Sequence, residues 1–273
     1  MRLEEKFKEL QIRKEGAHMP HVYYGDPYEE FSLKLLETLV KNGADILEVG
    51  IPFSDPTADG PTFQRVCDRA LKNGITPGKC IEGIKKLRAK GIVNPIVVTT
   101  YYNIPYTMGV DNFLDKIKNA GAQAIIVPNV PVEEADVLLT ESKKSQIHPI
   151  FQIAPTTTED RLKKITDIAS GFLYVIGVEG VTGVRESLAD STLKLVKRIK
   201  RHTDMPLLAG FGISTRQQAA AVVAAGADGA IAGSVYARIY EKNLNKPEET
   251  LPKVASLVVD IKQGCKEGYI KQK

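Results

Sequence analysis

The chain predicts an α/β fold, a single (β/α)8 barrel over residues 1–273 with an extra helix at its N-terminus. Three observations predict it. Short apolar runs alternate with amphipathic stretches until eight strand–helix units have been passed. A small-residue signature, Asn42-Gly43-Ala44-Asp45, returns as Ala120-Gly121-Ala122-Gln123 and as Ala225-Gly226-Ala227-Asp228. No Ser-rich or Gly-rich linker divides the chain. A helix-ending glycine followed at once by a strand is the short connection made at the bottom of such a barrel, so chemistry is expected on the loops at the other end.

The first fourteen residues are charged and carry Leu3, Phe7, Leu10 and Ile12 in a helical rhythm. They lack the uninterrupted apolar core of a secretory signal and read as a covering helix. Strands are predicted at residues 19–24, 46–49, 96–99, 124–127, 149–153, 172–175, 206–209 and 229–232. Helix-like segments fall at 30–41, 78–89, 132–145, 159–168, 191–200 and 215–225, with a further helix opening near Pro61.

With 43% hydrophobic and 26% charged residues, and no apolar run of bilayer length, the composition is that of an ordinary soluble protein. The net charge of +4 is spread through mixed Lys, Arg, Glu and Asp rather than gathered in a basic tract. Nucleic-acid binding therefore has little support, whereas a small anionic substrate is compatible. Cys67, Cys80 and Cys265 are odd in number and lack CxxC spacing, which argues against a disulfide framework or a zinc site and for a reducing, cytoplasmic setting. His18, His21, His148 and His202 also lack metal-ligand spacing, so no metal is expected.

The segment from Leu47 to Pro61 carries the chemistry. A charged Glu48 inside an apolar strand is expensive unless water, a partner or a ligand meets it. The loop behind it, shaped by Gly50, Pro52, Pro56, Gly60 and Pro61, presents Asp55 and Asp59. The bland alternative is that Asp55 braces a turn and Asp59 opens the next helix. After the last two strands, Gly210-Phe211-Gly212 and Gly233-Ser234 place glycines at strand exits, where backbone N–H groups approach a phosphate. Singly they also fit a tight turn and a helix cap. A third glycine in dinucleotide-fingerprint spacing is missing. The loop Ile176 to Glu186 reads as a cover whose Thr182 hydroxyl or Gly183 amide meets a ligand, or as an ordinary solvent loop. Tyr174 and Phe211 offer a flat bed for an aromatic group, or simply fill core.

Glu48 with the run Gly50 to Thr62, Gly25-Asp26-Pro27, Val130-Pro-Val-Glu-Glu134, Gly180-Val-Thr-Gly183, Gly210-Phe-Gly-Ile-Ser214 and Gly229-Ala-Ile-Ala-Gly-Ser234 resemble the tryptophan synthase α-subunit family over roughly residues 15 to 240. The resemblance implies retro-aldol cleavage of indole-3-glycerol phosphate to indole and glyceraldehyde 3-phosphate in tryptophan biosynthesis. It implies Glu48 and Asp59 as catalytic carboxylates, and Tyr174, Thr182, Phe211 and Tyr101 at the substrate. Gly183, Gly212, Gly233 and Ser234 would form the phosphate cradle, and Pro52, Asp55 and Pro56 a partner contact. It implies no cofactor in this chain, pyridoxal phosphate being held by a β subunit in an αββα assembly. The sequence departs from the family pattern at His21, where Phe is common, at Pro128-Asn129, at Val178-Glu179 in the covering loop, and in the polar run Thr99-Thr100-Tyr101-Tyr102-Asn103. A stand-alone lyase, a regulatory phosphate-binding subunit and another phosphate-binding barrel enzyme are the alternatives.

Overall fold

Among the described residues, nine short strands, every adjacent pair parallel, form one sheet in the order β5-β4-β3-β2-β1-β9-β8-β7-β6. They are β1 (Ala17–Tyr23), β2 (Leu47–Gly50), β3 (Ile96–Thr99), β4 (Ala124–Ile126), β5 (His148–Ile150), β6 (Gln152–Ile153), β7 (Leu173–Ile176), β8 (Leu207–Gly210) and β9 (Gly229–Ala232). The computed structural model describes residues 1–177, 188–210 and 212–272. The edge strands β5 and β6 are separated in sequence only by Phe151, so the sheet curls back on itself into a nearly closed barrel. The single fifth strand expected at 149–153 is thus two pairing segments: β5 pairs with β4, and β6 pairs with β7.

The remaining boundaries agree with the sequence reading to within about two residues, the usual scatter at element ends, except at two helices. The expected helix 132–145 is a 3₁₀ turn at Val132–Glu134 followed by a helix at Asp136–Ser145, with Ala135 at φ −88°, ψ 0° between them. The helix at Leu188–Lys200 begins three residues before the expected 191–200. Helices not assigned from sequence occupy Asn103–Met108, Val110–Ala120 and Leu251–Ile270. Gly109 lies between the first two of these at φ 81°, a conformation that favours glycine. No helix among the described residues is long and apolar enough to cross a membrane.

Two apolar clusters sort the strand residues by face. The inner one contains Met19, Ile46, Val97, Ile126, Ile150, Phe172, Leu208 and Ile231. The outer one contains Val22, Leu47, Val98, Ile125, Leu173, Ala209 and Ala230, packed toward the helices. Leu3, Leu10 and Phe7 of the first helix, Leu3–Arg13, join the inner cluster, and Phe7 meets Phe172 at 6.1 Å between ring centroids. The N-terminal helix therefore plugs one end of the barrel. The other end is left open for a site.

Candidate active site

The open end follows from strand geometry. Successive side chains alternate between faces, so the residue two past each inner-cluster residue points inward again, one layer nearer the carboxyl end. That rule gives His21 after Met19, Glu48 after Ile46, Thr99 after Val97 and Pro128 after Ile126. It continues with Gln152 after Ile150, Tyr174 after Phe172, Gly210 after Leu208 and Gly233 after Ile231. Seven of these eight line one cavity of about 440 Å³. The eighth, Glu48, lies just beneath it and is 1% exposed. The glycines leave room on the β8 and β9 side. A Cβ on Gly210 would stand 3.0 Å from the Tyr174 ring, and one on Gly233 would stand 2.7 Å from Phe63.

Glu48 is held from two neighbouring strands. Thr99 Oγ1 donates a 2.6 Å hydrogen bond to its Oε1, and His21 Nδ1 stands 3.4 Å from the same oxygen. Oε2 is buried with no partner among the described residues. Burial drives the Glu48 pKa up to about 8; the Thr99 bond opposes the rise and the Asp59 charge adds to it. Burial also pushes His21 down to about 3, so its imidazole is neutral at working pH.

Asp59 lines the cavity directly and does not cap a helix. The helix Pro61–Lys72 has Gly60 at its N-cap with no side-chain cap bond. Instead Asp59 Oδ2 accepts hydrogen bonds from Tyr23 at 2.7 Å and Tyr101 at 2.6 Å. Burial raises its pKa, and these two hydroxyls pull it back. Two carboxyl groups in different settings, one sealed and one exposed to the cavity through hydroxyl partners, are suited to different protonation states.

The other expected site residues separate into groups. Tyr174, Gly212, Gly233 and Ser234 line the same cavity as Asp59. Thr182, Gly183 and Phe211 lie outside the described residues. Tyr101, expected at the substrate, is not in the cavity wall. It is 1% exposed, stacks on Phe53 at 5.2 Å, and has its hydroxyl engaged by Asp59 and by the Ala58 N–H at 3.0 Å. Its place is behind Asp59. Of the loop residues expected at a partner, Asp55 is exposed and accepts a 2.6 Å bond from Ser54, whereas Pro52 and Pro56 are buried within the chain. The sequence pattern does not assign His21, Tyr23, Thr99, Gln152 or Arg238 to the site, although it marks His21 and Thr99 as departures from the family pattern. The alternation rule finds three of the four strand residues once strand and barrel register are known. Arg238, on the helix Ser234–Tyr240, lines the cavity and donates to Ser234 Oγ at 3.0 Å.

The family model for the tryptophan synthase alpha chain matches residues 7–266. The chain belongs to the tryptophan synthase alpha chain family. It is 48% identical to the alpha chain of Methanocaldococcus jannaschii, covering 90% of this chain and 87% of that one. It is 45% identical to that of Methanosarcina barkeri, covering 97% of each. Among solved structures, the alpha subunit of Legionella pneumophila strain Paris superposes with a TM-score of 0.88 at 30% identity, covering 96% of this chain and 97% of that one. Tryptophan synthase of Mycobacterium tuberculosis gives 0.86 at 32% identity, covering 97% and 98%. Family membership makes this chain a carbon–carbon lyase on a (β/α)8 barrel.

Proposed function

We propose that Glu48 carries the proton transfers, and Asp59 the charge stabilisation, by which this lyase cleaves indole-3-glycerol phosphate to indole and glyceraldehyde 3-phosphate. The observation that carries the assignment is the buried, unpartnered Oε2 of Glu48 directly under a cavity that shows Asp59 on one wall and Gly212, Gly233 and Ser234 on another. An aromatic ring near Tyr174 and a phosphate near the glycines can be bridged by one molecule.

Glu48 begins protonated because burial favours its neutral form. It gives its proton to indole C3, which turns the ring into a cationic leaving group. The Asp59 carboxylate, supported by Tyr23 and Tyr101, stabilises the positive charge at the ring N–H. The Glu48 carboxylate then takes the proton of the adjacent side-chain hydroxyl. As the carbonyl forms, the carbon–carbon bond breaks and its electron pair returns to the ring. Glu48 ends in its starting state, so one carboxyl serves as acid and then as base.

The phosphate would rest on the backbone at Gly212 and Gly233 and on the Ser234 hydroxyl, with Gly183 contributing from the covering loop and Arg238 supplying positive charge. No cofactor enters these steps. Indole would pass to a β subunit carrying pyridoxal phosphate in a cytoplasmic αββα assembly, with the exposed Asp55 loop in the contact. The solved M. tuberculosis neighbour being a tryptophan synthase supports that partner.

The test is indole release from indole-3-glycerol phosphate by the purified chain, with and without a β subunit. Glu48→Gln and Asp59→Asn should each lose at least about a hundredfold in kcat, the range of general acid–base catalysis for the first and of electrostatic stabilisation for the second, while glycerol 3-phosphate still binds. Wild-type turnover in either variant would refute that residue's role. An unchanged rate on adding the β subunit would point to a stand-alone lyase.

A further inference from the structure

The two oxygens of Glu48 have different surroundings. Oε1 faces the Thr99 hydroxyl at 2.6 Å and His21 Nδ1 at 3.4 Å, while Oε2 is buried and bare. The imidazole is fixed by its ring neighbours, with centroids 4.7 Å from Phe63 and 5.0 Å from Tyr23. Its Nε2 is buried without a partner among the described residues. An orphaned N–H is the more expensive defect, so the neutral ring carries its proton on Nδ1, the nitrogen nearest Glu48. An oxygen that already faces two donors has no direction left for a proton of its own.

We propose that Thr99 and His21 are positioning residues: together they hold Oε1 and stabilise the carboxylate that forms after Glu48 gives up its proton, leaving Oε2 as the oxygen that transfers the proton in both directions. This rests on the reading of Glu48 as the acid and base of the lyase. The Thr99 bond is already short. The His21 contact is looser than a hydrogen bond, and it tightens as negative charge develops on the carboxyl, as catalytic contacts do between the free enzyme and its complexes. The Thr99 bond favours the ionised form and lowers the Glu48 pKa from the value that burial alone would impose; the His21 N–H acts in the same sense once its contact closes.

Among the described residues, the other titratable groups facing Glu48 are Asp59 from the loop, which raises its pKa, and Tyr174 from β7; Tyr23 from β1 lies against His21 and Asp59. Burial keeps both tyrosines protonated, so Asp59 is the charged one among them.

Two readouts test the proposal: the pH dependence of kcat/KM for indole release, and an infrared titration of the Glu48 carboxyl taken as a difference against Glu48→Gln. Thr99→Val should move the falling limb and the infrared titration up by about one pH unit. It should lower kcat near neutral pH about tenfold, the equivalent of one such unit, and leave KM within about twofold. Thr99→Ser should restore both. His21→Phe keeps a flat ring against Phe63 and Tyr23, and should move the titration the same way by a smaller amount. The proposal is overturned if Thr99→Val and His21→Phe leave the carboxyl titration where the wild type has it, or move it down. The infrared signal needs no turnover. A wild-type chain that released no indole would therefore sink the reaction assigned above, while Thr99 and His21 would still be judged by the carboxyl itself.

Discussion

Replacing Glu48 with Gln should destroy activity and, at alkaline pH, make the fold more stable. An ordinary glutamate ionises near 4.5, whereas burial holds Glu48 neutral up to about 8 in the folded chain. Between those values the unfolded chain has lost a proton that the native state keeps, so the native state becomes progressively less favoured as pH rises. The contribution of this group is fully present below about 4.5 and gone by about 8. At about 1.4 kcal/mol per pH unit, the loss across that interval is roughly 5 kcal/mol. Total stabilities of folded proteins are about 5–15 kcal/mol, so the effect is large enough to measure. Glu48→Gln removes the titration. Its carbonyl oxygen still accepts from Thr99, and its amide takes the place of bare Oε2 at an energy cost that does not vary with pH. The readout is the unfolding free energy of both proteins from denaturant titrations at several pH values from about 5 to 8.5. The difference in favour of Glu48→Gln should grow steadily across the series. Parallel curves would mean that Glu48 is already ionised in the native state, and would refute both the burial argument and its role as the initial acid.

Three further outcomes follow from the site geometry. Tyr101→Phe removes one of two hydroxyls that stabilise the Asp59 carboxylate; the acid limb of kcat/KM should rise by about one to two pH units, since bonds to charged groups contribute about 1.5–3 kcal/mol, and an unmoved limb in a pH-rate series would contradict it. Gly233→Ala places a Cβ 2.7 Å from Phe63 and 3.2 Å from the His21 Cβ, so the glycerol 3-phosphate dissociation constant measured by calorimetry should rise about tenfold or more, overpacking of this kind costing about 1–3 kcal/mol. Arg238→Gln should weaken the same ligand about fivefold and flatten the salt dependence of its binding, as expected for one lost charge at a partly open site; binding that stayed equally salt-sensitive would assign the positive field elsewhere.

Much of the barrel was legible because parallel strands covered on both faces read as unbroken apolar runs, and because the Gly-Ala-Asp returns mark where helices hand over to strands. The fifth strand was legible as a run but not as two pieces. Its division at Phe151 depends on which neighbour each half meets, and that is set by barrel closure. The segment 132–145 carried helical spacing throughout, yet the turn after Pro131 starts as 3₁₀ before the helix proper begins at Asp136.

Within the site, sequence spoke most clearly where a residue was out of place for its element. A carboxylate in an apolar strand is such a case, and Glu48 stands on the inner face. Asp59 was harder, because Asp before Gly-Pro at a helix start is also a normal cap. Only the hydroxyls of Tyr23 and Tyr101, 36 and 42 residues away, distinguish the two roles. The family resemblance puts Tyr101 at the ligand, and an aromatic residue at a strand exit has no sequence mark telling whether it faces the cavity or supports a residue that does. The departures at His21 and Thr99 looked like unrelated changes of polarity. Strand register makes them one feature: His21 pairs across from Glu48, and Thr99 lies one inward step beyond Val97, the residue paired with Glu48 on its other side. Side chains that close on one carboxyl from both neighbouring strands are far apart in sequence, and what unites them is the order of strands around the barrel.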